Sequence, residues 1–402
     1  TASSPSRKAP SPLRSDAAPV GHLMNPPLSR REWLARCASG AALVVLPGRL
    51  RAQTSTADAG WPIFRGDAAL TGVGGASSLP ATPKLLWSFE AESEPTSPVV
   101  MGDRVVVATR DGDLIALDFG SGKEAWRTKI EAGFEGAPTC AQGLVVVPDL
   151  EGSIHAFAST DGKKLWSRAT EGKSEIKASV AVASGVAVVG SYDGTLHALN
   201  LADGSPRWKH ESDAQIHSTC AIQNGLAHVA GCDGHFRGLD VATGAVKLDV
   251  RFGGYTAASP AMSDGLVVFG TFSNDVVAID LAKKAVVWRY TPKKQFPFYS
   301  SAAISEGLVF VGSRDKALHV LDLKTGELRW TVDTQGKIDS SPVILGSRVF
   351  FGSHDGRIRG VDVKTRQSVF SYETGAPVAT SPALAGNRLL VAATDGRILC
   401  FA

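Results

Sequence analysis

The most constraining feature of this sequence is a motif of about 40 residues that recurs throughout the chain after residue 84. Each copy ends on an aromatic or apolar residue shortly after a polar turn, as in residues 308–330. The closing positions are Trp87, Trp126, Trp166, Trp208, Leu248, Trp288, Trp330 and Phe370. A fixed period of this length indicates one array of similar supersecondary units rather than a series of unrelated domains.

Each copy divides into four strand-like pieces that are separated by turns. The first piece is short, as at residues 341–344, and the second is an apolar run, as at residues 349–351. Most copies continue with Asp-Gly, as at Asp111 and Gly112, which predicts a type I′ hairpin. An alternating third piece and a second polar turn lead to the fourth piece. Four-stranded units repeated radially predict a β-propeller.

The two ends of the array set the number of units. A serine or its equivalent opens a first strand eight times, at Ser97, Ala137, Ser179, Thr219, Ser259, Ser301, Ser341 and Ser381. The last copy stops after its third strand, and residues 84–89 form a fourth strand that lacks the three before it. Pairing of these two segments closes the ring and hides both strand edges. We therefore expect residues 84–402 to form an all-β, eight-bladed propeller with four-stranded antiparallel blades.

The start of the chain differs in composition from the repeats. Residues 1–23 are rich in Pro, Ser, Ala and Arg, and we expect them to be disordered. Met24 stands directly before a segment of the export type. We therefore interpret residues 1–23 as an upstream extension and expect the natural start of translation at Met24.

Residues 24–52 have the features of a secretory signal. Arg30 and Arg31 precede a weakly apolar segment, residues 37–46, and the small residue Ala52 marks the expected cleavage point. The arginine pair resembles the twin-arginine export motif. Ten apolar residues are too few to cross a hydrocarbon core of roughly 30 Å, so no transmembrane helix is expected. We expect a periplasmic or secreted bacterial protein.

The charge balance argues against nucleic acid as a partner. Residues 1–52 contain eight of the 42 Lys and Arg and two of the 39 Asp and Glu, which leaves 34 basic and 37 acidic residues beyond them. A nearly neutral body cannot depend on attraction to phosphates. We expect a monomer that binds no nucleic acid.

Two columns of the repeat suggest structural roles. The tryptophans of the fourth strands are expected to dock one blade on the next: Trp87, Trp126, Trp166, Trp208, Trp288 and Trp330. His155, His197 and His319 share a third-strand column, which is compatible with a metal cluster or with histidines hydrogen-bonded between blades. Equivalent positions lie on separate sheets, so the second interpretation is favoured.

The sequence resembles the pyrroloquinoline-quinone-like (PQQ-like) propeller family. The resemblance lies in Asp or Asn, a Thr-Gly or Asp-Gly turn and Trp at fixed spacing, as in residues 198–208, and it covers residues 61–402. Residues 61–67 are similar to the lead-in segment of secreted members, which we place at residues 53–83. The family includes quinoprotein alcohol dehydrogenases and the propeller subunit of the outer-membrane β-barrel assembly machinery. The resemblance implies the fold, but the fold does not supply a function.

Resemblance to the dehydrogenases implies a central quinone with a stacking Trp, a disulfide between adjacent cysteines and a calcium ion held by acidic and amide side chains. None of these features can be placed on this sequence. Beyond the signal, Trp61 lies in the lead-in segment and every other Trp in a fourth strand, while Cys140, Cys220, Cys232 and Cys400 are not adjacent. We expect mostly buried thiols and no cofactor, with PQQ and calcium as the alternative.

The candidate binding surface is the rim, where the turn between the second and third strands meets the link from one blade to the next. Side chains there vary between blades and include aromatic residues and arginine, the composition of recognition surfaces. The candidate rim residues are Arg110, Tyr192, His217, Tyr255, Tyr299, Arg314, Asp339 and His354.

These observations favour a non-catalytic scaffold of the cell envelope that binds envelope proteins or glycans. A rigid ring offers a preformed surface whose loops can change without disturbing the core. One alternative is a PQQ-dependent alcohol or sugar dehydrogenase. Another is a carbohydrate-binding or carbohydrate-acting propeller that uses the carboxylates of Glu131, Glu135 and Asp339.

Overall fold

The computed structural model describes residues 60–75 and 79–402, and within them 32 strands form eight four-stranded antiparallel sheets. No part of these residues forms a helix of the length and apolarity that a membrane crossing requires. The predicted all-β, eight-bladed propeller is confirmed. The predicted signal and upstream extension lie outside the described residues.

The strands occupy four positions from the axis of the ring to its circumference. The innermost strands are β2 (Val99–Met101), β6 (Thr139–Ala141), β10 (Ala181–Ala183), β14 (Ala221–Gln223), β18 (Ala261–Ser263), β22 (Ala303–Ser305), β26 (Val343–Leu345) and β30 (Ala383–Ala385). The second strands are β3 (Arg104–Ala108), β7 (Leu144–Pro148), β11 (Val186–Gly190), β15 (Leu226–Ala230), β19 (Leu266–Gly270), β23 (Leu308–Gly312), β27 (Arg348–Ser353) and β31 (Arg388–Ala392). The third strands are β4 (Asp113–Asp118), β8 (Ser153–Ala158), β12 (Thr195–Asn200), β16 (His235–Asp240), β20 (Val276–Asp280), β24 (Ala317–Asp322), β28 (Arg357–Asp362) and β32 (Arg397–Phe401). The outermost strands are β5 (Glu124–Lys129), β9 (Lys164–Ala169), β13 (Pro206–Glu211), β17 (Val246–Arg251), β21 (Ala285–Tyr290), β25 (Leu328–Asp333), β29 (Ser368–Glu373) and β1 (Leu85–Glu90).

The ring closes as the sequence predicts. Blades 1 to 7 each use four consecutive strands, from β2–β5 to β26–β29, whereas blade 8 combines β30, β31 and β32 with β1. Trp87 of β1 lies opposite Cys400 of β32 in an antiparallel ladder. Lys84 and Ala402 extend this ladder with backbone N–H to oxygen distances of 2.8 and 3.0 Å. The seam therefore has no free edge between these two strands.

The turn between the second and third strands differs from the predicted type I′ geometry. In blade 1 the N–H of Gly112 donates to the carbonyl of Thr109, and only the glycine has positive φ, at 91°. This pattern fits a three-residue loop in which a glycine bulge follows a type I turn. Two adjacent residues with positive φ occur instead at the inner hairpin, as at Gln142 and Gly143 (52° and 80°). The type I′ prediction was wrong because Asp111 is not one of the left-handed residues.

Fourth-strand tryptophans contact the following blade. The indole N–H of Trp126 in blade 1 donates to the carbonyl of Ser159 in blade 2 at 3.1 Å. Equivalent bonds of 2.9–3.2 Å are made by Trp87, Trp166, Trp208 and Trp288. Each of these side chains therefore combines apolar contact with a satisfied donor at a blade interface.

The lead-in segment follows the inner strands around the axis. Trp61 is buried and exchanges two backbone hydrogen bonds of 2.8 Å with Val100 of blade 1. Further carbonyls of the segment accept N–H groups from the innermost strands or from residues beside them in five more blades, 2, 4, 5, 6 and 7: the donors are Cys140, Ile222, Met262, Ile304 and Ile344. The segment thus supplies partners for backbone groups that face the centre of the ring.

Candidate functional site

One face of the ring brings together the second turns and the interblade links. In every blade the residue before the turn donates its backbone N–H to a carbonyl of the preceding link. For Arg314 and Pro297 this N–O distance is 3.3 Å, and for Tyr192 and Glu175 it is 3.0 Å. We call this surface the rim face. Its backbone is fixed by the repeat, so its side chains can differ without changing the frame.

A cavity of about 250 Å³ opens at the centre of the rim face. The hydroxyl side chains that line it are Ser97, Thr219 and the serines at 179, 259, 301, 341 and 381, together with Thr96 and Thr380. The Ser341 N–H donates to Oγ of Ser381 at 3.1 Å, and the Ser381 N–H donates to Oγ of Ser97 at 2.9 Å across the seam. Six of these hydroxyl oxygens accept such a bond, so their own protons remain available to water or ligand in the cavity: those of Ser97, Thr219, Ser259, Ser301, Ser341 and Ser381. Thr380 instead donates its hydroxyl proton to the carbonyl of Ala392 at 2.6 Å.

Charged side chains surround the mouth of this cavity on the side of blades 1 to 3. Arg110 lies 3.2 Å from a carboxylate oxygen of Glu94 and 3.3 Å from one of Glu135. Lys177 lies 3.0 Å from Glu175 and 4.0 Å from Glu135. All five side chains remain partly accessible, so this network is screened by solvent and contributes little to stability.

A second cluster lies on the side of blades 6 and 7. The guanidinium of Arg314 stacks 3.4 Å from the ring centre of Tyr299, and its Nε donates to Asp339 at 2.7 Å. Nε2 of His354 and Nζ of Lys337 lie 3.1 and 3.2 Å from the same carboxylate. Burial alone raises the pKa of Asp339, but hydrogen bonds from His354 and Arg314 outweigh it and hold the pKa well below its usual range.

The histidine nearest the cavity is kept neutral. His217 lines the cavity, and its Nδ1 is hydrogen-bonded to the hydroxyl of Tyr192. Burial, with a smaller contribution from the charge of Lys177, lowers the pKa of His217 to about 4. At neutral pH this imidazole is a hydrogen-bonding group rather than a cation.

Blades 5 and 6 present an exposed aromatic and basic surface. Tyr255 is 61% exposed and Phe296 is 48% exposed, although both rings are largely apolar. Phe296 belongs to the link between β21 and β22, which has 12 residues against eight to 11 in the other seven links. Lys293 and Lys294 in the same link are exposed and form no ion pair with any described residue.

The structure groups the predicted rim residues in three ways. Arg110, His217, Tyr299 and Asp339 line the axial cavity. Tyr192, Arg314 and His354 stand behind them and contact His217 or Asp339, whereas Tyr255 stands apart and makes no side-chain hydrogen bond with a described residue.

The sequence analysis missed three contributors to this surface. Phe64 of the lead-in segment and Lys177 line the cavity, and Lys293 lies in the longest link. The length of that link could have been measured from the repeat spacing. The position of Phe64 could not, because the lead-in segment does not share the repeat.

The histidine column is held within each blade rather than by a shared metal. Nε2 of His155 lies 2.8 Å from Asp149, and Nε2 of His319 lies 3.0 Å from Asp315, in each case an aspartate of the same blade. His319 also contacts Tyr290 of the preceding blade, so the predicted bond between blades is present at this position. No group of three metal-ligating side chains occurs in residues 60–75 and 79–402.

The cavity does not match the quinone site that the dehydrogenase resemblance implies. Its aromatic lining comes from Phe64, Phe134, His217 and Tyr299, and no described lining residue is Trp, Cys, Asn or Gln. The four cysteines of the described residues are free thiols. The stacking indole, the disulfide and the amide ligands are therefore not at this position, and we derive no step through a quinone.

Comparison with known protein families gives one match over most of the chain. A family model described as "Outer membrane protein assembly factor BamB" matches residues 76–177, 150–297 and 273–401. The curated protein of that name from Burkholderia pseudomallei is 34% identical over 77 residues. That alignment covers 19% of this chain and 20% of the relative, so the curated match spans about a fifth of each protein.

Solved structures show the same fold at low identity. BamB from Moraxella catarrhalis has a TM-score of 0.67 and 19% identity, with 79% of this chain and 97% of that chain covered. A quinohemoprotein alcohol dehydrogenase from Comamonas testosteroni has a TM-score of 0.73 and 14% identity, with 85% and 80% covered. Because both groups share the fold, overall shape does not separate a scaffold from a dehydrogenase.

Proposed function

The chain belongs to the family of the outer membrane protein assembly factor BamB, and from this premise we propose that it is a non-catalytic, protein-binding scaffold of the bacterial cell envelope. In this proposal the predicted signal directs export, and the partner is an envelope protein that takes part in outer-membrane protein assembly. The rim face is the binding surface.

The observation that carries this proposal is the exposed aromatic and basic surface of blades 5 and 6. Tyr255 and Phe296 place apolar rings in solvent, and the exposed Lys293 and Lys294 precede Phe296 in the same link. Large aromatic residues are the side chains that most often dominate binding energy at protein interfaces. The unpaired lysines favour a partner with carboxylates around an apolar surface, because opposite charges speed association and fix its orientation.

The neighbouring cluster supports the same conclusion. Arg314 is held by Tyr299 on one side and by Asp339 on another, so its side chain is already ordered. Binding to an ordered surface loses less conformational entropy than binding to a mobile one. The rim face is therefore suited to recognition without rearrangement.

The test is affinity purification of the tagged protein from the envelope of its own bacterium, with quantitative mass spectrometry. The wild type is expected to enrich subunits of the outer-membrane assembly machinery. The Tyr255→Ser/Phe296→Ser double variant is expected to lose at least about tenfold of that enrichment, since two interface anchors are removed. Leu328→Ser removes a side chain of similar exposure (46%) from an outermost strand and should change nothing. Equal losses in both variants, or no enrichment by the wild type, would contradict the proposal.

We propose further that this scaffold works without a bound quinone. The support is the lining of the axial cavity, which lacks the quinone-holding side chains among its described residues. Titration of the purified protein with PQQ and calcium, followed by absorbance and by dye reduction with alcohols, tests this directly. Saturable quinone binding with dye reduction would move the chain to the dehydrogenase class.

A glycan partner is the remaining alternative. Glu135 and Asp339 line the cavity, but each is already paired with cations, and Glu131 is exposed. A glycan array with the same Tyr255 and Phe296 variants separates the two partners. Glycan binding that survives loss of both rings would point to the cavity, rather than the exposed rings, as the binding site.

A further inference from the structure

The interface between blades 2 and 3 carries an unusual number of basic side chains. Side chains of a strand alternate between its two faces, so each outermost strand contacts both neighbouring blades. The residue two positions after the closing residue points to the following blade. The two residues that flank the closing residue of the following blade point back toward it. Between blades 2 and 3 these residues are Arg168, Arg207 and Lys209.

No other interface has more than one Lys or Arg at these three positions. The corresponding sets, from the interface of blades 1 and 2 onward and omitting the one above, are Thr128, Leu165 and Ser167; His210, Lys247 and Asp249; Val250, Val287 and Arg289; Tyr290, Arg329 and Thr331; Val332, Val369 and Ser371; Tyr372, Leu86 and Ser88; and Phe89, Ala125 and Arg127. The repeat therefore offers seven internal controls in which the same frame lacks the cationic set.

These cations surround a cavity of about 280 Å³ that lies away from the rim cavity. Arg168 donates Nε to the carbonyl of Gly204 at 3.1 Å, and neither Arg168 nor Arg207 forms an ion pair with a described residue. Lys209 is shared between Glu171 at 2.9 Å and Glu211 at 3.2 Å. Two guanidinium groups thus line the cavity without an ion pair to a described residue, and the one carboxylate of the lining, Glu171, is paired with Lys209.

A comparison with the interface of blades 5 and 6 shows what differs around this cavity. Between blades 5 and 6, the hydroxyl of Tyr290 contacts Nδ1 of His319 at 3.0 Å. Between blades 2 and 3, Arg168 occupies the position of Tyr290 and turns toward Gly204. His197, the counterpart of His319, consequently lines the open space, and its Nε2 lies 3.5 Å from a carboxylate oxygen of Asp193, too far for a well-formed hydrogen bond.

A buried hydroxyl in the cavity wall is also without a partner. Thr170 is 5% exposed and lines the cavity, and its Oγ1 makes no hydrogen bond with a described residue. Thr334, at the same position of the repeat in blade 6, donates its hydroxyl to the carbonyl of Gly336 at 2.6 Å. A buried polar group that lacks its expected partner calls for another one, such as water or a ligand.

We propose that the cavity between blades 2 and 3 binds a small ligand through a phosphate or carboxylate group. Arg168 and Arg207 bind the oxyanion, for which the guanidinium fork is the matching donor. Lys209 offsets the charge of Glu171 at the cavity wall, and the hydroxyl of Thr170 supplies a neutral hydrogen bond. Leu199 and Pro206 contact the carbon part of the ligand. This site does not depend on the rim face or on the proposed scaffold function.

The test is calorimetric titration of the exported protein with inorganic phosphate, sn-glycerol 3-phosphate and succinate. Saturable binding is expected for at least one of these probes. Arg168→Gln and Arg207→Gln should each weaken it about tenfold, because each removes a charge-assisted hydrogen bond. Lys247→Gln is the matched control, since Lys247 occupies the position of Arg207 at the next interface and should leave affinity unchanged.

A lipid headgroup is the other source of the same chemistry. Flotation with phosphatidylglycerol vesicles, against phosphatidylcholine vesicles, separates it from a free ligand. Binding to vesicles that is lost in Arg168→Gln/Arg207→Gln supports the site with a lipid as its ligand. Absence of binding to every probe and vesicle, or binding that the double variant retains, overturns the proposal.

A spectroscopic readout locates the ligand independently of affinity. Burial lowers the pKa of His197, and a bound oxyanion should raise it because the anion favours the imidazolium form. The groups that face this ring are Asp193, Glu171, Arg168 and Lys209. The NMR titration of His197 should move to higher pH with the bound probe, while that of His228 in blade 4, whose pKa is also lowered by burial, stays in place. A shift at both histidines, or at neither, contradicts binding at this cavity.

Discussion

The indole of Trp166 lies flat against Gly204, the turn glycine of the next blade. A Cβ atom added to Gly204 would stand 2.6 Å from Cε3 of Trp166, closer than any real Cβ contact. The same indole donates to the carbonyl of Leu201 in that turn at 3.0 Å. The glycine and the tryptophan of the repeat therefore contact each other across the interface between successive blades.

Gly204→Ala should destabilise the protein more than Gly185→Ala. Both glycines have positive φ, 69° and 75°, so both substitutions carry the left-handed backbone penalty of about 1–2 kcal/mol. Only alanine at 204 meets a ring, whereas the space at 185 is open. We expect an additional loss of about 1–3 kcal/mol for Gly204→Ala from overpacking, measured by urea denaturation. Equal losses of stability in the two variants would show that the indole of Trp166 does not pack against Gly204.

The degraded interface between blades 4 and 5 should be repairable only at both positions together. Leu248 replaces the tryptophan, and Lys284, with a φ of 52°, replaces the glycine that would receive it. Leu248→Trp alone should destabilise the protein because its ring meets the lysine stem. Combined with Lys284→Gly it should be tolerated, with a coupling energy of at least about 1 kcal/mol in a double-mutant cycle. Additive effects would refute the pairing.

His228 should make the protein sensitive to mild acid. It is buried, its Nδ1 has no partner among the described residues, and burial lowers its pKa to about 4. Between pH 6.5 and 4 the unfolded chain binds a proton that the folded chain excludes, so stability falls as the pH falls. This single group contributes a loss of about 3 kcal/mol across that window.

His228→Phe should flatten this pH dependence without loss of fold. His228 faces Gly238 across the sheet as Phe350 faces Gly360 in blade 7, so the repeat already accommodates phenylalanine at this position. Unfolding free energies at pH 7, 5.5 and 4 provide the comparison. A variant with the same slope as the wild type would assign the acid sensitivity to other groups.

Asp339→Asn should cost more stability than Asp395→Asn. Asp339 is largely buried among Arg314, Lys337 and His354, and its neutral replacement leaves these donors without a counter-charge. We expect a loss of about 3 kcal/mol. Asp395 pairs only with Arg397 near the surface, and its replacement should cost under about 1 kcal/mol. Thermal unfolding at neutral pH measures both losses of stability. Similar losses in the two variants would show that Asp339 does not hold its three cationic neighbours together.

The ring could be predicted from the sequence because each blade is encoded by a short local motif that recurs at a regular spacing. The spacing of Trp126 and Trp166 sets the blade, and the unmatched strand near Trp87 sets the closure. The turn type was wrong because Asp-Gly is compatible with two loop lengths, and the choice depends on which residue takes positive φ. In blade 1 that residue is Gly112 alone among the turn residues.

The candidate surface was predictable in position but not in its contacts. The rim positions follow from the repeat, yet the pairing of Arg314 with Asp339 joins residues that are 25 positions apart in neighbouring blades. The direction in which a side chain points across an interface decides whether it finds a partner, and the sequence alone does not give this direction. For the same reason the meeting of Arg168 with Arg207 emerges only when the facing strands are known.

The most direct test of the scaffold account is site-specific photocrosslinking in the native bacterium. A photoreactive amino acid is placed at Tyr255 or Phe296 on the rim face, and at Leu328 on an outermost strand as the control. The account predicts crosslinks from the two rim positions to a subunit of the outer-membrane assembly machinery, and none from the control. Crosslinks from Leu328 alone, or rim positions that capture no envelope protein, would contradict it.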